Sequence, residues 1–444
     1  MKLLILGFVF IICSYFGCRE NAIDTGTGTG IEFLTAGDVG VTDVWLKITL
    51  PYSRIHQPIT LKRDTTTILN TTFTTIDTLV ADEQLLPHHT YTYTLIQNFG
   101  KGMKHETHLT LTTMDTTSHN FTWQTYILSN AGGDISDIAY ISDTNIWAVG
   151  EMYIRDSLGI IEDQPYAIAR WDGLKWTRQK IFYHDYGTIQ THADRLYCIY
   201  AFGSNDIYVC SGANLLHWDG TRWREKAFFM TDIPFNGQVS KMWAIDGQHI
   251  YCVGRNGAIY FYNGTRWEKL NSGTTYDIED IYGSKNPMTG EFEIYALAVQ
   301  DSYLPVQTQI LKIKGTSVLK ISELPNVYLS IWFVPGKKYY LVGDGIIWKY
   351  SWSDTSWYHK PIGTITRYGT GCIRGTGVND IFTAGSYFEV THYNGRDWYN
   401  YKDEIPSSYG TVGAGIDMGK NTIVAGGYID QEAAILIGKR IIFR

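Results

Sequence analysis

The chain has 444 residues, with 44 Gly, 32 Tyr and 14 Trp, and only 18% of it is charged. A net charge of −7 without a basic stripe argues against nucleic acid as a partner. Many glycines and aromatics with few charges suit short strands joined by tight turns, and no long stretch repeats its apolar residues at helical spacing.

The chain opens with "MKLLILGFVFIICSYFGC": one Lys, an apolar run from Leu3 to Phe16, then Gly17-Cys18. This is the layout of a secretory signal, and the run is shorter than the ~20 residues a spanning helix needs. Gly before Cys resembles the end of a bacterial lipoprotein signal. The resemblance implies that residues 1–18 are a signal segment and that Cys18 becomes the acylated N-terminal residue. It also implies export to the bacterial cell envelope, at the outer membrane or cell surface, with a lipid anchor. The sequence departs from that family's pattern at Tyr15 and Phe16, where Leu and a small residue are preferred. Residues 19–30 are polar and rich in Gly and Thr, the composition of a flexible tether.

Residues 31–116 form a run of alternating strands, such as "DVWLKITLP" and "HETHLTLTTM", separated by turn residues. Within them, Leu86-Pro87-His88-His89-Thr90-Tyr91-Thr92-Tyr93 resembles the tyrosine corner of fibronectin type III domains. That resemblance implies a β-sandwich in which the hydroxyl of Tyr91 or Tyr93 bonds back to upstream backbone, with Trp45 in the core. Such domains act as spacers or binding modules. His105 and His108 of "HETH" would point to opposite faces of a strand, so the pair does not predict a metal site. No metal or cofactor is expected.

From residue 120 the chain repeats itself. Short apolar strands end at Gly150, Gly212, Gly254, Gly343, Gly385 and Gly426, with Ala298 filling one gap. Past Gly212 the spacing is about forty to forty-five residues, the period of a four-stranded propeller unit. Each of four units also carries an Asp-Gly or Asn-Gly turn three residues before a Trp: Gly173/Trp176, Gly220/Trp223, Gly264/Trp267 and Gly395/Trp398. Such turns favour two-residue hairpin loops with positive φ at both positions. The pattern predicts a β-propeller over 120–444, of seven sheets with six or eight as alternatives. It resembles bacterial propeller repeats of the Asp-Ile-Tyr-x-x-Gly…Tyr-Asn-Gly-x-x-Trp kind. "NFTWQTYIL", 120–128, reads as an outer strand that completes the last sheet, the rival being "IIFR" at the C-terminus. Trp218 and Trp223 are expected to pack sheet against sheet. The whole chain is thus all-β, a sandwich followed by a propeller.

Chemistry is harder to find. There is no GxSxG with a plausible triad, no P-loop, and no GxGxxG between a strand and a helix. The pairs Glu279-Asp280 and Glu162-Asp163 read as solvated loop charges. Loops between the second and third strands of a propeller unit gather at one end of the channel, and four of them carry a tyrosine: Tyr153, Tyr303, Tyr387 and Tyr428. They are the candidate ligand-binding residues, since loops on a rigid scaffold carry function. Cys198 and Cys210 flank a turn symmetrically and are candidates for a disulfide. Three functions remain open. One is an envelope protein binding a glycan, peptide or protein partner. Another is a carbohydrate-active transferase or hydrolase with acids at the channel mouth. The third is a structural assembly platform.

Overall fold

The computed structural model describes residues 33–98, 104–184, 190–228, 237–286, 289–301, 305–352, 354–405 and 410–442. The signal segment with Cys18, the tether and Tyr303 lie outside the described residues. The chain divides into two compact units, residues 1–117 and 118–444.

The first unit holds two antiparallel sheets. One has the order Phe33–Val39, Asp43–Thr49, Asp77–Glu83; the other has Thr66–Thr72, Pro58–Arg63, Thr90–Asn98, Lys104–Thr112. Alternation along each strand sends Val44, Leu46, Ile48, Ile59, Leu61, Val80, Tyr93 and Leu95 into one shared core. Trp45 is not among them. It shares a face with Lys47 and is only half-buried, because residues 44, 46 and 48 take the inward side of the pleat. Of the two tyrosines offered by the sequence, Tyr91 makes the local bond: its hydroxyl accepts the Leu86 N–H at 2.9 Å. Tyr93 is fully buried and donates its hydroxyl to Asp82, which also takes Arg63 at 2.8 Å.

Among the described residues, the second unit contains seven four-stranded antiparallel sheets. Their first strands are Gly133–Ser142, Cys198–Gly203, Val239–Asp246, Asp277–Lys285, Tyr328–Val334, Thr370–Gly377 and Gly410–Met418. Sheets 1 to 6 are continuous in sequence. Sheet 7 takes its outer strand from Phe121–Ile127, which pairs with Glu432–Arg440 and removes a free edge. Seven apolar clusters fill the gaps between neighbouring sheets, and the one joining Ile135 and Ile138 to Val424 and Ile435 closes the ring. Strands buried on both faces explain why "AIYFY" is apolar throughout. Four of the recurring glycines, Gly150, Gly254, Gly343 and Gly385, share one cause, whereas Gly212 has a φ of 96° and Gly426 packs under the side chain of Ile135. A Cβ at Gly254 or Gly385 would sit 1.8 or 2.2 Å from a carbonyl oxygen of the adjoining chain, Gln238 or Gly369.

The turn before each Trp differs from expectation. Gly173, Gly220, Gly264 and Gly395 have φ of 97, 90, 89 and 96°, but the Asp or Asn before each does not have positive φ. These are four-residue loops, with Trp218 paired to Trp223 and Tyr262 to Trp267. The Asp or Asn serves through its side chain. Asp172, Asp219, Asn263 and Asn394 each accept the N–H groups two and three residues on. Trp147 of sheet 1 meets Trp218 and Trp223 of sheet 2 at 5.9 and 6.1 Å, so this pair does pack sheet against sheet.

Candidate functional site

Two layers shape the end of the ring that carries the loops between second and third strands. The deeper layer is polar. In five sheets the first strand has one extra residue, at Ser136, Ser240, Glu279, Leu329 and Gly371. A bulge re-aims the side chain after it, and the residues so placed are Asp137, Lys241, Asp280, Ser330 and Cys372. Asp137 of sheet 1 reaches Lys241 of sheet 3 at 2.9 Å, and Asp280 of sheet 4 takes Arg374 of sheet 6 at 3.0 and 3.1 Å. Each ion pair therefore spans an intervening sheet. The acids also bind that sheet's backbone: Asp137 accepts Ile199 N–H and Asp280 accepts Ile331 N–H. Burial works against the Asp280 charge, but Arg374 outweighs it and holds the carboxyl below its usual range. Asp417 of sheet 7 differs. It accepts the backbone N–H groups of Tyr140 and Met418, and burial pushes it up to about 6.

These findings correct the reading of Glu279-Asp280. Glu279 is exposed at the bulge, while Asp280 is a buried structural ion. Glu162 is a loop residue paired with Lys180 at 2.6 Å. The sequence signal for the inner layer is present but weak: a charged or polar residue just before Ile or Met in successive first strands.

The outer layer is the rim. In three sheets the turn between second and third strands has two successive residues of positive φ: Asn256-Gly257, Tyr387-Phe388 and Asp430-Gln431. Asn-Gly tolerates this geometry, whereas two aromatics resist it. Phe388 is driven inward, buried in the core between sheets 6 and 7. Tyr387 is left outward, 42% exposed, with its ring 4.3 Å from that of Tyr368, itself 39% exposed. Glu389 fixes this arrangement, since its carboxylate accepts the N–H groups of Arg367 and Tyr368.

The rim continues through backbone contacts. Tyr387 N–H donates to Gly410 carbonyl, Ser386 bridges to Thr411, and Thr411 pairs with Tyr428. Gln431 carbonyl accepts Gly133 N–H, and Gly132 carbonyl accepts Tyr153 N–H. The structure therefore places Tyr387, Tyr428 and Tyr153 along one arc over sheets 6, 7 and 1. Tyr428 and Tyr153 are half-buried, so Tyr387 is the most exposed of the three. Beside Tyr153, the opposed acids Asp134 and Glu151 share Arg195, at 2.7 and 3.4 Å, which also lies over Tyr197. Past Tyr153 the chain forms a small hairpin in which Asp156 accepts Leu158 and Ile160 N–H, leaving Leu158 81% exposed. Sequence reasoning missed Tyr368 and Arg195, and neither lies in a repeated position.

Cys198 and Cys210 face each other in register, as their spacing implied, but both are free, buried thiols. Opposition alone does not supply the dihedral a bridge requires. Burial pushes the Cys198 thiol well up. Among the described residues, no group of three or more His, Cys, Asp or Glu is placed to hold a metal ion.

No known family profile matches the chain, and no curated protein does. Solved structures are similar in fold. The structure described as YCF48 bound to D1 peptide superposes with a TM-score of 0.53 at 15% identity, covering 74% of this chain and 97% of that one. The WD40 β-propeller domain of Doa1 gives 0.48 at 12%, covering 73% and 98%. The extracellular domain of a putative one-component system from B. thetaiotaomicron gives 0.49 at 14%, covering 72% and 40%. At these identities the likeness is one of fold, and with the closed ring of sheets it makes the second unit a β-propeller.

Proposed function

We propose that this is an exported binding protein, anchored to the bacterial envelope through Cys18, that docks a protein or peptide partner on the rim over sheets 6, 7 and 1. The observation that carries the docking site is the Tyr387-Phe388 turn. Backbone strain of about 1–3 kcal/mol per residue persists where the surroundings enforce it, and such sites cluster at ligand contacts. Here the strain sets an exposed Tyr387 against Tyr368. Two amphipathic rings in tilted contact suit the apolar side chains and amides of a polypeptide. The first unit, with its Tyr91 bond and three-plus-four sheets, would serve as a fibronectin-like spacer. Asp137 and Asp280 are each engaged by a cation and by backbone N–H groups, which favours a scaffold role for them over the carbohydrate-active alternative.

A random peptide display library selected on the mature protein tests the site. Selected peptides should lose at least about tenfold in affinity on Tyr387→Ala with Tyr368→Ala, as expected for aromatic anchors. Unchanged affinity would remove the rim as the docking site. Binding on a glycan array that depends on the same two rings would redirect the proposal to carbohydrate. Radiolabelled palmitate should be incorporated, and Cys18→Ala should abolish this; labelling that survives the change refutes the anchor.

A further inference from the structure

Closure of the ring rests on more than strand pairing. Two residues before the closing strand Phe121–Ile127, the His119 ring reaches sheet 6, where its Nδ1 lies 2.8 Å from Nδ1 of His392. His392 is completely buried, and its Nε2 is 3.0 Å from Asp380. Asp380 also accepts the Thr376 hydroxyl and the Arg440 guanidinium, at the end of the strand that receives the closing strand. The Tyr401 hydroxyl donates to the His119 carbonyl at 2.7 Å. Two Nδ1 atoms at this distance need one proton between them. Asp380 decides the tautomer: it accepts Nε2–H from His392, so His392 Nδ1 is the bare acceptor and His119 donates. The Nε2 lone pair of His119 is then buried without a hydrogen-bond partner among the described residues.

We propose that the His119–His392 pair is an acid-released latch on the strand that closes the propeller. A proton added at His392 Nδ1 sets N–H against N–H and breaks the contact. A proton added at His119 Nε2 makes a cation with no hydrogen-bond acceptor among the described residues. The groups facing the pair are Asp380, Thr376 and Arg440, with Tyr399, Tyr401 and Asp397, and Glu404 behind Tyr399. Arg440 opposes further positive charge and Asp397 favours it. Burial, with His392, holds His119 down at about 4, and burial holds His392 down against the pull of Asp380. A freed histidine titrates near 6.5, so the latch is fully engaged above that value and weakens as pH falls toward 4.

Hydrogen exchange on the full chain at about pH 7.5 and about pH 5, corrected for intrinsic rates, reads this opening. Residues 121–127 and 432–440 should open at least about tenfold more at the lower pH, while Val239–Asp246 should not. His119→Asn puts an amide where Nδ1 sits, able to donate to or accept from His392, and should flatten the response. Opening that ignores pH in the wild type, or that persists fully in the Asn variant, overturns the latch. Should that variant fail to fold, ¹⁵N-histidine labelling of the wild type decides. A ¹⁵N–¹⁵N coupling across the two Nδ1 atoms is expected near neutrality and should vanish on acidification. Its absence near neutrality overturns the proposal equally.

Discussion

The two ends of the propeller sheets solve the same problem differently. At one end, four hairpins turn on the same device, an Asp or Asn oxygen capping two N–H groups and a Gly at φ near 90°. At the other, three turns share two successive residues of positive φ but fill them with Asn-Gly, Tyr-Phe and Asp-Gln. Where the residues repeat with the fold, the fold accounts for them. Where geometry repeats and residues do not, some other demand chose the side chains. Tyr387-Phe388 is the sharpest case, because a cheaper solution stands in sheet 3 of the same chain. The contrast is broken if changes at the regular end or in the inner ring disturb docking while leaving stability alone, or if changes at the irregular rim do the reverse.

The largest scaffold effect is expected in the inner ring. Asp280→Ala leaves the largely covered Arg374 guanidinium without its carboxylate, a loss of about 3 kcal/mol. Urea denaturation should show a lower midpoint, and an unchanged one would mean the ion pairs across the ring are dispensable. Next comes Asp417. Its folded carboxyl titrates at about 6, above the ordinary 3.8, so the folded state holds a proton that the unfolded chain has released. Stability from this group is therefore present at low pH and lost as pH rises from about 4 to about 6, by about 2–3 kcal/mol. Asp417→Asn cannot titrate. The stability of the variant relative to wild type should rise across that window, and a flat difference would contradict a raised pKa. Because both proteins carry His119 and His392, the opposite trend of those groups cancels.

How much of this is legible in the sequence depends on periodicity. The Gly-ending strands and the turn-to-Trp spacing locate the sheets, since a Cβ clash at Gly254 and an Asx cap at Asn263 are local demands that recur with the fold. The role of the Asp in Asp-Gly is not legible, because a two-residue and a four-residue loop look alike in sequence. Trp45 is misplaced by sequence reasoning because one step along a strand reverses the face. The chords Asp137–Lys241 and Asp280–Arg374 join residues 104 and 94 positions apart, and nothing local announces such a pairing. The tyrosine loops stand out as departures from the repeat, but Tyr368 and Arg195 sit in connectors where no repeat marks them.

Smaller effects sharpen the contrast between the ends. At the regular end, Asn263→Ala removes the acceptor for Thr265 and Arg266 N–H and should cost about 1 kcal/mol. Asn263→Asp keeps both N–H bonds but sets a second carboxylate against Glu268, which now accepts the Asn263 amide at 3.1 Å, so it should destabilise too, unlike Asp219, which faces Arg224. Peptide binding should not change in either. At the rim the sign reverses. Tyr387 holds φ of 58°, a conformation Asn adopts more readily than an aromatic. Tyr387→Asn should therefore leave stability unchanged or raise it by roughly 0.5–1 kcal/mol, the strain relieved being partly offset by the lost ring contact with Tyr368. The same change should weaken docking. A residue whose removal stabilises the fold and weakens binding is held for its surface. If Tyr387→Asn instead destabilises the protein by more than Asn263→Ala, the aromatic turn is one more piece of scaffold.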